Sequence, residues 1–167
     1  MFGQKAKREN PFALRWFHKA GFEWEPLAAR AWGTRFEEWL IGPERMELAQ
    51  RYYQQAPRAA VQPAEDLEDI AGAGQPEGFL GVIYADGNNM GALLEELSTP
   101  LRYQAFAQTC YHTTIEATFT ALATHLHPHR HAGQWRHPFE ILSIGGDDVF
   151  LREGRDMPRV HIELQRV

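Results

Sequence analysis

Cysteine is almost missing from this chain. Cys110 is the only one, which excludes an internal disulfide and any multi-cysteine zinc site. No apolar run approaches the length that spans a bilayer. The basic N-terminus, Met1 to Arg8, is not followed by the apolar stretch of a secretory signal. The default is therefore a cytoplasmic protein with no membrane partner. An excess of positive charge is missing too: 17 Lys+Arg against 22 Asp+Glu leave a net charge of −5, which argues against a general nucleic-acid coat. Ten of the basic but only seven of the acidic residues fall in residues 1–60. Acidity thus gathers in the remainder, where it suits metal binding, and a local basic strip at the front stays open.

What is present fits an ordinary globular chain. Its 167 residues, 44% hydrophobic and 23% charged, suffice for one domain with a core plus an appendage, and are too few for two full domains. Residues 1–56 read as an aromatic-rich helical segment. Pro11 opens a first helix through Phe12, Leu14, Trp16 and Phe17, with Gly21 as its stop. A second runs from about Pro26 to Gly42, and Pro43 begins a third that ends at Tyr52 and Tyr53. Leu27, Trp32, Phe36, Trp39 and Leu40 fall near helical spacing, so the tryptophans read as core or partner-facing anchors. Residues 57–78, rich in Ala, Pro, Gly and acids, read as a linker with one short helical turn around Leu67 and Ile70.

Residues 79–167 carry the chemistry. The run from Phe79 to Ala85 is β-rich, bounded by Gly78 and by Asp86-Gly87, and reads as a buried strand ending in an acid. A helix begins at once after Asn88 and Asn89. Free N–H groups of Asn89, Met90 and Gly91 at its start are suited to phosphate. Ser98-Thr99-Pro100 then restarts helix with a cap and a first-turn proline. Tyr103, Phe106, Cys110, Tyr111, Ile115, Phe119, Leu122 and Leu126 recur at helical spacing, predicting an apolar face of about six turns that packs on the sheet. Cys110 on that face reads as a buried small hydrophobe. His125, His127, His129, His131 and His137 follow. No cysteine or flanking carboxylate joins them, so the expectation is a solvated, pH-sensitive loop rather than a metal site.

The last feature is Gly145-Gly146-Asp147-Asp148, between the β-rich runs Ile141–Ile144 and Val149–Leu151. It reads as a tight hairpin with acids at its tip. Alone, the tetrapeptide also fits a turn with solvated acids, since Gly and Asp are common turn residues. Asp86 changes the balance. In a right-handed βαβ unit with adjacent strands, the end of the first strand lies beside the end of the second, and three carboxylates converge. Two-metal phosphoryl or nucleotidyl transfer needs such acids to hold two Mg²⁺ ions roughly 3.5 to 4 Å apart around an attacking hydroxyl and a leaving pyrophosphate.

Tyr84-Ala85-Asp86-Gly87-Asn88-Asn89-Met90-Gly91 followed by Gly145-Gly146-Asp147-Asp148-Val149-Phe150 resembles the second palm domain of the CRISPR polymerase family. That family supplies the large subunit of type III CRISPR effector complexes and is related to GGDEF and class III nucleotidyl cyclases. The resemblance covers about residues 65–151. It implies an α+β chain with a ferredoxin-like, palm or nucleotidyl-cyclase-like βαβ core, and a function as a nucleotidyltransferase that uses Mg²⁺ or Mn²⁺ to join ATP into cyclic oligoadenylate signals in antiviral defence. Asp86, Asp147 and Asp148 would be its catalytic metal ligands. Gly87, Asn88, Asn89, Met90, Gly91, Gly145 and Gly146 would line the nucleotide. A palm that only binds nucleotide or serves as a scaffold is the other reading. Implied partners are a nucleotide, other effector subunits with guide and target RNA through them, and a second copy of the chain.

The chain departs from the family in having Asn88 where some members carry an acid, and in lacking a cysteine-rich knuckle and an HD-type nuclease motif. Only Arg152 to Val167 follow the hairpin, where a palm continues with a helix and a strand. Residues 159–164 alternate like an edge strand. The palm is therefore expected to be incomplete at its C-terminus, with a sheet edge and an apolar face left for a partner or a second copy to cover.

Overall fold

A computed structural model of the protein describes residues 32–74 and 76–154. The helix expected from Pro11, the first residues of the one expected from Pro26, and the alternating stretch after Arg159 lie outside the described residues. Within them the chain is α+β: helices first, then small sheets of antiparallel and mixed pairing.

The described chain begins with α1 (Trp32–Leu40), a 3-10 turn (Pro43–Arg45) and α2 (Met46–Tyr52). Pro43 starts the turn where a missing N–H costs nothing. These correspond to the second and third expected helices. Residues 57–78, read above as a linker, hold a 3-10 turn (Arg58–Ala60), strand β1 (Val61–Gln62) and helix α3 (Leu67–Ala71). Asp66 caps α3 by accepting the Asp69 N–H at 2.8 Å. The turn around Leu67 and Ile70 is thus present, and Ile70 is buried.

Strands β2 (Leu80–Ala85), β5 (Phe139–Gly145) and β6 (Asp148–Gly154) form the sheet that carries the acids, in the order β2-β6-β5. Both neighbours run antiparallel to β6. The expectation of adjacent β2 and β5 is corrected here: β6 lies between them. A two-residue hairpin forces β6 against one edge of β5, and the other edge of β6 then receives β2. Between β2 and β5 the chain makes α4 (Met90–Glu95) and the long α5 (Pro100–His125). Thr99 caps α5 by accepting the Arg102 N–H at 3.3 Å, with Pro100 in the first turn as expected.

A bulge decides which side chains of β5 enter the core. Ile141 is opposite Leu151, but Ser143 is opposite Phe150, so Leu142 is an extra residue. Strict alternation would put Ile141 and Ile144 on opposite faces; the inserted residue returns both to the buried one. That face joins Phe139, Val149 and Leu151 to Phe36, Leu40 and Tyr52 from α1 and α2 and to Phe119, Leu122 and Ala123 from α5. Phe36 is the hub, its ring against Tyr52, Phe119, His137 and Phe139 at 5.0–5.8 Å between centroids.

Only the last turns of α5 are buried. Leu101 and Tyr103 are exposed, and Cys110, Tyr111 and Ile115 are partly so. The six-turn apolar face is corrected accordingly, as is the burial of Cys110: the N-terminal half of the helix runs past the elements that cover its other end.

The histidine stretch is not a loop throughout. His129–His131 forms β3 and Gln134–Arg136 forms β4. Their turn, Ala132-Gly133, has positive φ at both residues, the pattern of a type I′ hairpin. β4 also pairs in parallel with β1. His125 and His127 are exposed, whereas His129 and His131 are half-buried and His137 is fully buried.

His137 is held on both sides. Its Nε2 is 3.1 Å from Glu37 Oε1 and its Nδ1 is 2.7 Å from the Tyr52 hydroxyl. A carboxylate only accepts, so Nε2 carries the hydrogen and Tyr52 donates to Nδ1. The expectation of a solvated loop is corrected for His137, which ties α1 and α2 to the start of β5. Arg136 beside it is buried and paired with Asp69 at 3.2 Å and Glu65 at 2.9 Å. No described helix is long and apolar enough to cross a membrane.

Candidate metal centre

The register of β2 on β6 sets the site. Ala85 is opposite Val149, which brings Asp86, one residue on, opposite Asp148. On the other side Gly145 pairs with Asp148, leaving Gly146-Asp147 as the hairpin connection. Gly146 has φ +62° and Asp147 does not share a positive φ. A positive φ at the first central residue alone is the signature of a type II′ turn, with Gly in its required place.

One ligand atom from each of Asp86, Asp147 and Asp148 lies within 4.8 Å of the others. The three acids singled out from the sequence are therefore brought together. Asp86 is exposed, and Asp147 and Asp148 are half-buried. Gly87 makes the approach possible, because a Cβ there would lie 2.5 Å from Asp147 Oδ2. A side chain at this position would push the acid away.

Like charges this close raise one another's proton affinity. Asp86 is shifted upward by local desolvation and by the charges of Asp148 and Asp147. Tyr84 is shifted upward as well, first by Asp148 and then by Asp86. Its hydroxyl donates to Asp148 Oδ1 at 3.3 Å. Asp147 also reaches toward α5, where desolvation and then its charge raise Cys110. Among the described residues, no Arg or His ion pair includes any of the three acids.

The other expected site residues surround this tip less tightly. Asn88, Asn89 and Gly91 are exposed, and Met90 is half-buried. Asn89 has φ +66° before α4 and makes no side-chain cap. A helix of six residues offers little dipole, so its start is not a phosphate site by itself. A Cβ at Gly145 or Gly146 would meet nothing within 4 Å, so space is open on that side of the turn.

Tyr84 was missed as a site residue by sequence reasoning, although a signal existed. It lies two positions before Asp86 on a strand, hence on the same face. Hard oxygen donors without sulfur or imidazole fit Mg²⁺ or Mn²⁺, and the clustered negative charge is what a divalent ion would relieve. No family model, curated protein or solved structure matches the chain.

Proposed function

We propose that the protein is a metal-dependent nucleotidyltransferase of the kind it resembles, the CRISPR polymerase palm, joining ATP into cyclic oligoadenylate. The observation that carries this reading is the convergence of the Asp86, Asp147 and Asp148 ligand atoms within 4.8 Å. The strand order adds support. A strand, a crossover helix and a hairpin whose second strand inserts beside the first is the first part of a ferredoxin-like palm, and β2-β6-β5 with α5 between β2 and β5 has that form.

Asp86, Asp147 and Asp148 would hold Mg²⁺ or Mn²⁺. Bound there, the ion would supply Lewis-acid stabilisation of phosphate charge and an activated hydroxyl nucleophile. The chain's own part is placement. Gly87 admits Asp147, Tyr84 steadies Asp148, and the open space at Gly145 and Gly146 leaves room for the nucleotide beside the acids. Other effector subunits with their RNA, or a second copy, are the partners this reading implies.

Purified full-length protein with Mn²⁺ or Mg²⁺ should convert labelled ATP to linear or cyclic oligoadenylate, and Asp147→Ala with Asp148→Ala should abolish it. No product from folded wild type with any of the four nucleoside triphosphates would overturn the activity. A palm that binds nucleotide without turning it over is the second reading. It is favoured by the absence, among the described residues, of a second strand partner for β2, and metal-dependent ATP binding without product would select it.

A further inference from the structure

The face of the sheet turned away from the core is ordered by rung. At its end are Asp86 and Asp148. The next rung inward on the same face is Tyr84 opposite Phe150, and the one after is Val82 opposite Arg152. On that face Val82 is 64% exposed, Tyr84 67% and Phe150 36%. The two rings meet edge to face at 6.5 Å between centroids. Arg152 turns to Glu140 at 3.4 Å across β5. A small aromatic patch is thus bounded by carboxylates at one end and by an ion pair at the other.

We propose that Tyr84 and Phe150 form a stacking platform for the base of a nucleoside triphosphate whose phosphates lie at Asp86, Asp147 and Asp148. This rests on the reading of the acids given above; the platform itself comes from strand register and exposure. Two residues along a strand separate the aromatic rung from the acids by about 7 Å, so a nucleotide held by its phosphates at the tip lays its base on the Tyr84 ring, with Phe150 set edge to face beside it. The hydroxyl of Tyr84, turned to Asp148, leaves the face of its ring free for that contact. Stacking on a ring is tolerant of base identity, so the platform favours nucleotides over bare polyphosphate without choosing strongly among bases.

The test compares ATP with inorganic tripolyphosphate, each titrated calorimetrically into the full chain with Mn²⁺. Wild type should bind ATP roughly tenfold more tightly than tripolyphosphate, a preference of stacking size. Tyr84→Ser should bring that ratio close to one, and Tyr84→Phe should keep it. Both variants lack the phenol hydroxyl that reaches Asp148, so their difference isolates the ring; Tyr84→Trp should also retain the ratio, and tripolyphosphate binding by the serine variant shows that it is folded. An unchanged ratio in Tyr84→Ser, with tripolyphosphate still bound, overturns the platform and leaves the acid site standing. Failure of wild type to bind either ligand overturns both. A wild-type dimer in sedimentation that Tyr84→Ser dissociates, with the ratio unchanged, assigns the face to a second copy and also overturns the platform.

Discussion

Two clusters of titratable groups sit at opposite ends of the same sheet and are built in opposite ways. At the start of β5, Glu37, Tyr52, Tyr53 and His137 are linked so that each donor has an acceptor, and Tyr52 and His137 are fully buried among aromatic rings. At the other end, Asp86, Asp147 and Asp148 are three acceptors that, among the described residues, meet one side-chain donor, the Tyr84 hydroxyl, and the Gly87 backbone N–H at Asp86. The first cluster is complete as it stands and holds helices to sheet. The second keeps like charges close together, a repulsion that a divalent ion would relieve. Charge satisfaction, rather than the mere presence of ionisable residues, separates a structural corner from a candidate site.

The largest effect should come from breaking the sealed end at its hub. Phe36→Ala removes a fully buried ring that touches both helices, α5 and β5, and should cost ~3–5 kcal/mol. Urea unfolding of the full chain measures it, and a loss below about 1 kcal/mol would mean the hub is not a core. Next in size is relief of the open end. Mn²⁺ at a hundred times its dissociation constant should raise stability by about 2.7 kcal/mol, read as an upward shift of the melting midpoint. Asp147→Asn should lose that shift while making the metal-free protein slightly more stable, because one of three repelling charges is gone. Gly87→Ala should also weaken the metal response, since its Cβ would displace Asp147. An equal shift in wild type and Asp147→Asn would remove the acids from any metal site.

The same contrast predicts a smaller loss at His137. His137→Leu fills the space but strips Tyr52 of its acceptor and Glu37 of its donor, at about 1–3 kcal/mol for the buried groups left unpaired. Its effect on the Mn²⁺ shift should be nil, because the two clusters share no contact. A His137→Leu protein as stable as wild type would show the corner to be dispensable.

How much of this was legible in the sequence differs between the two ends. The open end was written locally. Asp86 ends a short β-rich run, and Gly145-Gly146-Asp147-Asp148 is a turn between two more, so the acids could be brought together from pattern alone. That β6 would lie between β2 and β5 could not, because pairing partners are set by long-range contacts and not by either strand's own residues. The bulge at Leu142 is hidden for the same reason: it shows only when β5 is set against β6. The sealed end was scarcely legible. His137 stands among four other histidines, and nothing beside it in the chain announces a tyrosine and a glutamate 85 and 100 residues away. β1 and β3 are two and three residues long, too short for any alternation to emerge. Along α5 the apolar repeat was real, but a repeat fixes which face is apolar and not how far a partner extends beneath it.

The smallest expected effect tests the sealed end through pH. Glu37 faces His137, Tyr53 and Arg58, with Tyr52 behind His137. Its carboxyl is held below its ordinary value near 4.5, chiefly by the hydrogen bond from His137 and against the upward push of burial. A carboxyl with a depressed folded value binds its proton more weakly in the native state than in the unfolded one. Its stabilisation is therefore complete above the unfolded value and is lost as pH falls through the lower, folded one. Because Glu37 remains partly open to water, screening leaves about 0.5 kcal/mol. Stability of wild type relative to Glu37→Gln should be level from pH 7 to 5 and decline only below about pH 4.5. The Mn²⁺ response should weaken in the same direction. The Asp86 carboxyl, raised by desolvation and by the charges of Asp148 and Asp147, must lose its proton to bind, so the metal shift should also shrink as the pH falls. A Mn²⁺ shift that does not shrink on acidification would remove Asp86 from the metal site, and a Glu37→Gln protein that loses the Mn²⁺ shift would couple the two ends and end the contrast between them.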